Sequence, residues 1–249
     1  MDQTRRLIIH AAALARTSYA RRLLNTLPSA LVAYWPLWEP VGAPTCLDIS
    51  GHGCNGVYHA VTLGAPGIGD GHTAALFDGS TSYVDLYSVS LRDNWPGAAG
   101  TLLTWGKMTA PGWADGSAHY LNCFVTTASD FIEIPKNSTH NTLGYAIKSG
   151  GVARYGDYTI PGGGPAGWFC AVQTWDKAAD EFKCYYNGPQ AGITRSGFGV
   201  WSGTLLNTRA EIGSEAAATA ATKWPGSIAH VALWNVALTA AQIASLARH

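Results

Sequence analysis

The chain has 249 residues, enough for one large all-β domain or two small ones. Charged side chains are only 13% of it and balance to zero, 16 basic against 16 acidic, while it holds 29 glycines and 10 tryptophans. Residues 1–27 hold Arg5, Arg6, Arg16, Arg21 and Arg22 against Asp2, so the remainder has 11 basic and 15 acidic groups, a net charge of −4 that excludes a basic footprint for nucleic acid.

Residues 4–26 lack Gly and Pro and are rich in Ala, Leu and Arg, all good helix formers. Leu7, Ile8, Leu14, Leu23 and Leu24 recur at helical spacings, with arginines between them, and Pro28 ends the pattern. The apolar stretch 7–15 is interrupted by His10 and closed by Arg16, which sets it apart from a signal peptide. As one helix this segment would span ~34 Å at 1.5 Å per residue. A sandwich core does not need such a helix, so the segment reads as an arm that docks onto other subunits, with packing on its own sandwich as the alternative.

After Ser29 the texture changes to short apolar runs of period two, broken by Gly, Asn, Asp and Pro. Strands are expected over 31–37, 56–61, 74–77, 83–86, 101–108, 120–126, 131–134, 143–149, 168–175, 181–186, 209–212 and 227–234. The Ala-rich stretch 215–222 is left open between a loop and a helical turn. A short helix over 239–248 closes the chain, with Thr239 as N-cap. Trp35, Trp105, Trp168 and Trp234 fall inside strands and read as core. Five cysteines are an odd number, and buried reduced thiols are the favoured reading, although Cys170 and Cys184 fall on two strands of one hairpin and Cys46 and Cys54 flank one turn. No run approaches the ~20 apolar residues of a membrane span.

Several segments, in order, resemble the laminin-G-like, concanavalin A-like jelly-roll domains. They are Leu31-Val-Ala-Tyr-Trp-Pro-Leu37, the turn Asp48-Ile-Ser-Gly-His-Gly-Cys-Asn-Gly56, the hairpin Ala75-Leu-Phe-Asp-Gly-Ser-Thr-Ser-Tyr-Val-Asp85, Trp175-Asp176 with Tyr186-Asn187-Gly188, Glu211-Ile-Gly213, and the closing run from Gly226 to Asn235. The resemblance covers about 31–249 and implies an all-β fold: a two-sheet antiparallel jelly-roll sandwich over 29–249, with residues 1–28 as an N-terminal α-helical arm and a short C-terminal helix.

The resemblance also implies one structural calcium near Asp48, against which Ala229 stands where the family often has an acid; Asp48 capping its own turn is the competing reading. No other cofactor is expected. Glycan hydrolases of this fold carry acids along one strand, and the nearest match here, Asp130-Phe-Ile-Glu133, has an odd offset that puts its two acids on opposite faces, as a polar strand edge would. Trp38, Trp95, Trp113, Trp201 and Trp224 lie in Gly/Pro-rich connections and are the candidate ligand-stacking residues. The expectation is a non-enzymatic structural or adhesion protein of a phage or virus particle, oligomeric through residues 1–28, making protein or glycan contacts at the particle surface. The alternatives are a secreted or cell-surface carbohydrate-binding lectin-like module and, weaker, a glycoside hydrolase.

Overall fold

The computed structural model describes residues 19–216 and 219–249. Helix α1 (Tyr19–Leu24) and a 3-10 turn (Pro28–Ala30) lead into β1 (Leu31–Trp35), β2 (Thr45–Cys46), β3 (Gly56–His59), β4 (Thr62–Pro66), β5 (Thr73–Asp78) and β6 (Tyr83–Asp85). Helix α2 (Val89–Asp93), β7 (Ala99–Met108), helix α3 (Ala110–Ala114), β8 (His119–Thr126), β9 (Phe131–Lys136), β10 (Thr142–Leu143), β11 (Ala146–Ser149), β12 (Val152–Tyr155) and β13 (Tyr158–Thr159) follow. The chain ends with β14 (Phe169–Asp176), β15 (Glu181–Tyr186), β16 (Leu205–Ile212), a 3-10 turn (Ala220–Thr222), β17 (Pro225–Trp234) and helix α4 (Ala240–Leu246). That last 3-10 turn gives the end of the Ala-rich stretch a helical turn.

All pairings are antiparallel and form two sheets, as expected. The smaller runs β15-β14-β7-β17-β5-β4, with β1 also on β17; the larger runs β12-β11-β9-β8-β16-β6-β3-β2, with β10 also on β9 and β13 on β10. Alternate residues of both sheets point inward. Trp35, Phe77, Leu102, Phe124, Ile132, Ile134, Phe169, Trp175, Ile212 and Leu233 meet there in one apolar core. Polar ties cross this core from Asn122 Nδ2 to Thr104 Oγ1 at 2.6 Å and from Tyr145 Oη to the Tyr185 carbonyl at 2.7 Å. The turn between β14 and β15 uses Asn187 and Gly188 at φ 52° and 106°, the left-handed conformation that an Asn-Gly hairpin supplies.

A second apolar core covers the outer face of the smaller sheet. Tyr34, Leu103, Trp105, Cys170, Val172 and Trp234 project outward there, under Tyr19, Ala20 and Leu23 of α1 and Ile243 and Leu246 of α4. Two buried indoles are tied to the N-terminal segment: Trp105 Nε1 donates to Tyr19 Oη at 2.7 Å, and Trp234 Nε1 to the Thr26 carbonyl at 2.8 Å. This corrects the assignment of Leu23 to subunit contacts. Leu23 is fully buried on its own sandwich and Leu24 packs partly against the same core. Leu7, Ile8 and Leu14 lie outside the described residues.

Cys170 and Cys184 do not meet. Gln173 pairs with Cys184 and Ala171 with Tyr186, and the two thiols enter different cores, Cys170 the outer one and Cys184 the one between the sheets. All five cysteines are free and buried. Burial pushes the thiols of Cys170 and Cys184 well up, as it does that of Cys123 with the Glu133 charge adding to it.

Candidate functional site: the outer face of the larger sheet

The five loop tryptophans do not converge. Trp113 and Trp224 are 2% and 0% exposed, both lean on Phe169, and their indole N–H groups donate to the carbonyls of Pro165 and Lys107. They close the sandwich core and offer no stacking face, which corrects their assignment as ligand platforms. Trp38 packs against His72 at 4.1 Å beside the second core. Trp95 and Trp201 do come together, 5.7 Å apart and half-buried at the rim of the inter-sheet core, where Gly97 lacks the Cβ that would strike Trp201.

Asp48 is committed to its own turn. Its Oδ1 accepts from the amides of Tyr34 and Ser50, and its Oδ2 from Ser50 Oγ and the Cys54 amide, each at 2.9 Å. Four donors fill the lone pairs a calcium ion would need, so the residues do not fit the ion. Among the described residues no group of three or more His, Cys, Asp or Glu side chains is placed to hold a metal. Asp130 is likewise structural: fully buried ahead of β9, it accepts from the amides of Gly150, Gly151 and Ser202 and from Ser202 Oγ.

Glu133 differs from its sequence reading. Strand β9 lies inside the larger sheet, between β8 and β11, so Glu133 is not on an edge. The registers align one row across six strands: Tyr155, Ala146, Glu133, Cys123, Glu211, Asp85 and then Val57 on a seventh. Ile132, Ile134, Phe124, Ala210, Ile212 and Val84 flank this row in the strands and face the core, so the row itself faces outward. A search along one strand misses these carboxylates because the sheet assembles them across strands. The sequence signal was the apolar–acid–apolar alternation at Val84-Asp85-Leu86, Ile132-Glu133-Ile134 and Ala210-Glu211-Ile212.

Around the row, Arg209 Nη2 donates to Glu215 Oε1 at 2.7 Å and lies 3.9 Å from Cys123 Sγ, while the Cys123 thiol faces Glu133 Oε2 at 3.7 Å. Burial, with the Glu215 charge adding to it, pushes the Glu133 carboxyl up to about 7 against the Cys123 thiol and Arg209. Next in register, His59 stacks flat on Tyr83 at 4.4 Å and 5°. Lys223 Nζ sits 4.1 Å from the centre of the Tyr83 ring and donates to Ser214 Oγ at 2.9 Å. Burial lowers the Lys223 ammonium pKa, opposed by the charges of Glu211 and Asp78.

Two acids on alternate strands stand about 9.5 Å apart at the backbone, within reach of an inverting glycosidase's spacing. Between Glu133 and Glu211, however, Cys123 is 0% exposed, and Glu211 itself is 2% exposed.

A two-sheet antiparallel jelly roll with helices covering one outer face defines the class as a β-sandwich. The profile of the concanavalin A-like lectin/glucanases superfamily matches residues 78–244, and the chain belongs to that superfamily. Among solved structures the chain is similar to the botulinum neurotoxin serotype D binding domain (TM-score 0.66, 12% identity, 90% of this chain and 52% of that one). It is also similar to Trypanosoma rangeli sialidase in complex with sialic acid (0.63, 12%, 88% and 33%). A third likeness is domain 4 of AbnA, a GH43 extracellular arabinanase from Geobacillus stearothermophilus, in complex with arabinotriose (0.57, 17%, 88% and 98%). At these identities the likeness is one of fold. The chain spans about half the length of the toxin binding domain it matches. No curated protein sequence matches it. No helix among the described residues is long and apolar enough to cross a membrane.

Proposed function

We propose that the chain is a non-catalytic contact module, carried on the surface of a phage or virus particle, that meets a glycan or protein through the outer face of its larger sheet. The observation that carries this is the registered row from Tyr155 to Val57. It lines up an exposed tyrosine, Glu133 and Asp85 on one face, while helices cover the outer face of the other sheet. Aromatic rings beside carboxylates and Arg209 are the groups that stack on sugar rings and hydrogen-bond their hydroxyls. The burial of Glu211 and Cys123 argues against hydrolysis at the same place. Five free, buried thiols suit a protein that folds in a reducing compartment, as a particle component assembled inside a host cell does.

The secreted lectin-like alternative is favoured by one observation, the likeness to an arabinanase domain of nearly the same length solved with arabinotriose. Glycan-array binding with the full chain tests the shared part of both readings. Tyr155→Ala and Asp85→Ala are expected to weaken any hit at least tenfold, and reducing-sugar release to stay at background. Binding unaffected by both substitutions would remove the face from consideration, and sugar release lost in Glu133→Gln would make the protein a hydrolase. Co-purification with particles, against the free protein in the medium, separates the two settings.

A further inference from the structure

His119 opens β8 at 6% exposure, and both its ring nitrogens face acceptors. Nδ1 lies 2.6 Å from the Lys223 carbonyl, and Nε2 lies 2.5 Å from Asp115 Oδ2. A neutral imidazole donates from one nitrogen only, so both contacts are hydrogen bonds only when the ring carries two protons. We propose that His119 is an imidazolium fastener that holds Lys223 over the Tyr83 ring, and that loss of its proton as the pH rises releases Lys223 and opens that ring on the contact face.

The geometry says which proton leaves. Asp115 is shared with the buried Lys136, whose Nζ is 3.0 Å from Asp115 Oδ1 and also donates to the Ser117 carbonyl at 2.8 Å. Hydrogen bonds from His119, the Ser117 amide and Lys136 outweigh desolvation and hold the Asp115 carboxyl down to about 2, so it stays ionised. An ionised carboxylate keeps the Nε2 proton more firmly than a neutral carbonyl keeps the one on Nδ1. Deprotonation therefore leaves a lone pair on Nδ1 facing the Lys223 carbonyl oxygen at close range, and the attraction becomes a repulsion.

Lys223 is the link to the face. It is 1% exposed, its ammonium sits over Tyr83, and it donates to Ser214 Oγ and to the Ala216 carbonyl. The charges around this pair are Asp115 beside α3, Lys136 on β9, Tyr83 on β6, Asp78 at the end of β5 and Glu211 on β16. With His59 on one side of Tyr83 and Lys223 on the other, neither ring face is open while the fastener holds.

The fastener stands without the contact reading; only the use of Tyr83 by a ligand rests on it. The test uses the full chain with labelled histidine, following the ring nitrogens by NMR from pH 5 to 9 beside amide exchange at Lys223 and Trp224, each rate divided by that of the β14 amides so that base catalysis cancels. The expected result is two ring protons on His119 at the acid end, one, on Nε2, at the alkaline end, and a Trp224 exchange rate that climbs at least tenfold relative to β14 through the same transition. His119→Gln should exchange fast at every pH. If that variant does not fold, the wild-type titration decides alone. A ring that stays neutral throughout, or one that titrates with no change in exchange, overturns the proposal. Local release without any gain in glycan binding would leave the fastener intact and count against the contact face.

Discussion

At Glu133 a carboxyl sits in a face that raises its pKa, so its ionisation works against the fold. Because the folded value of about 7 lies above the ordinary one, the folded state holds the proton more tightly. Stability should then fall as the pH rises from about 4.5 to about 7 and stay lower above it. Glu133→Gln is expected to flatten that slope and to raise stability at pH 8 by about 1–3 kcal/mol, read from urea melts at pH 5 and pH 8. Asp130 works the other way. Replacing it by Ala strands the amides of Gly150, Gly151 and Ser202 and should cost about 2–4 kcal/mol in the same melts. Some of this scale was legible in the sequence. The Asp48 turn and the Asn187-Gly188 turn follow from residue chemistry that acts over a few positions. The burial of Trp113 and Trp224 was not legible, because a Gly/Pro-rich connection that folds inward has the same composition as one that stands out.

Among the elements, α1 is held by what it covers. Tyr19→Phe keeps the ring but leaves Trp105 Nε1 without its acceptor, and should cost about 1–3 kcal/mol in thermal or urea unfolding. The strands β1, β7, β8, β14 and β17 were plain in the sequence because each buries side chains along nearly its whole length. The short strands β2, β12 and β13 were missed, and so was β4, whose Thr-Leu-Gly-Ala-Pro run sits at a sheet edge, where Gly and Pro are tolerated and the apolar period is lost. The row of acids was missed for a related reason: register between strands is a long-range property that no single window of sequence carries.

For the whole molecule, the second core decides what a truncated chain does. Starting the protein at Ser29 removes Tyr19, Ala20 and Leu23 from the outer face of the smaller sheet and exposes Trp105, Val172 and Trp234. The loss is expected at about 3–6 kcal/mol, from two large side chains at 1.5–3 kcal/mol each, with a lowered Tm and self-association visible by light scattering. A truncated chain as stable as the parent would show that α1 contributes nothing to the fold and would return the whole of residues 1–28 to an assembly role.

The placement of the thiols gives the molecule a built-in record of its own opening. Cys170 lies under the helices, Cys46, Cys54 and Cys184 lie between the sheets, and Cys123 lies in the outward-facing row, so each layer carries its own marker. An alkylating reagent supplied during slow denaturation, followed by peptide mass spectrometry, would date the parting of each layer. The order of labelling would then tell whether the chain comes apart from its helices inward or from its exposed face.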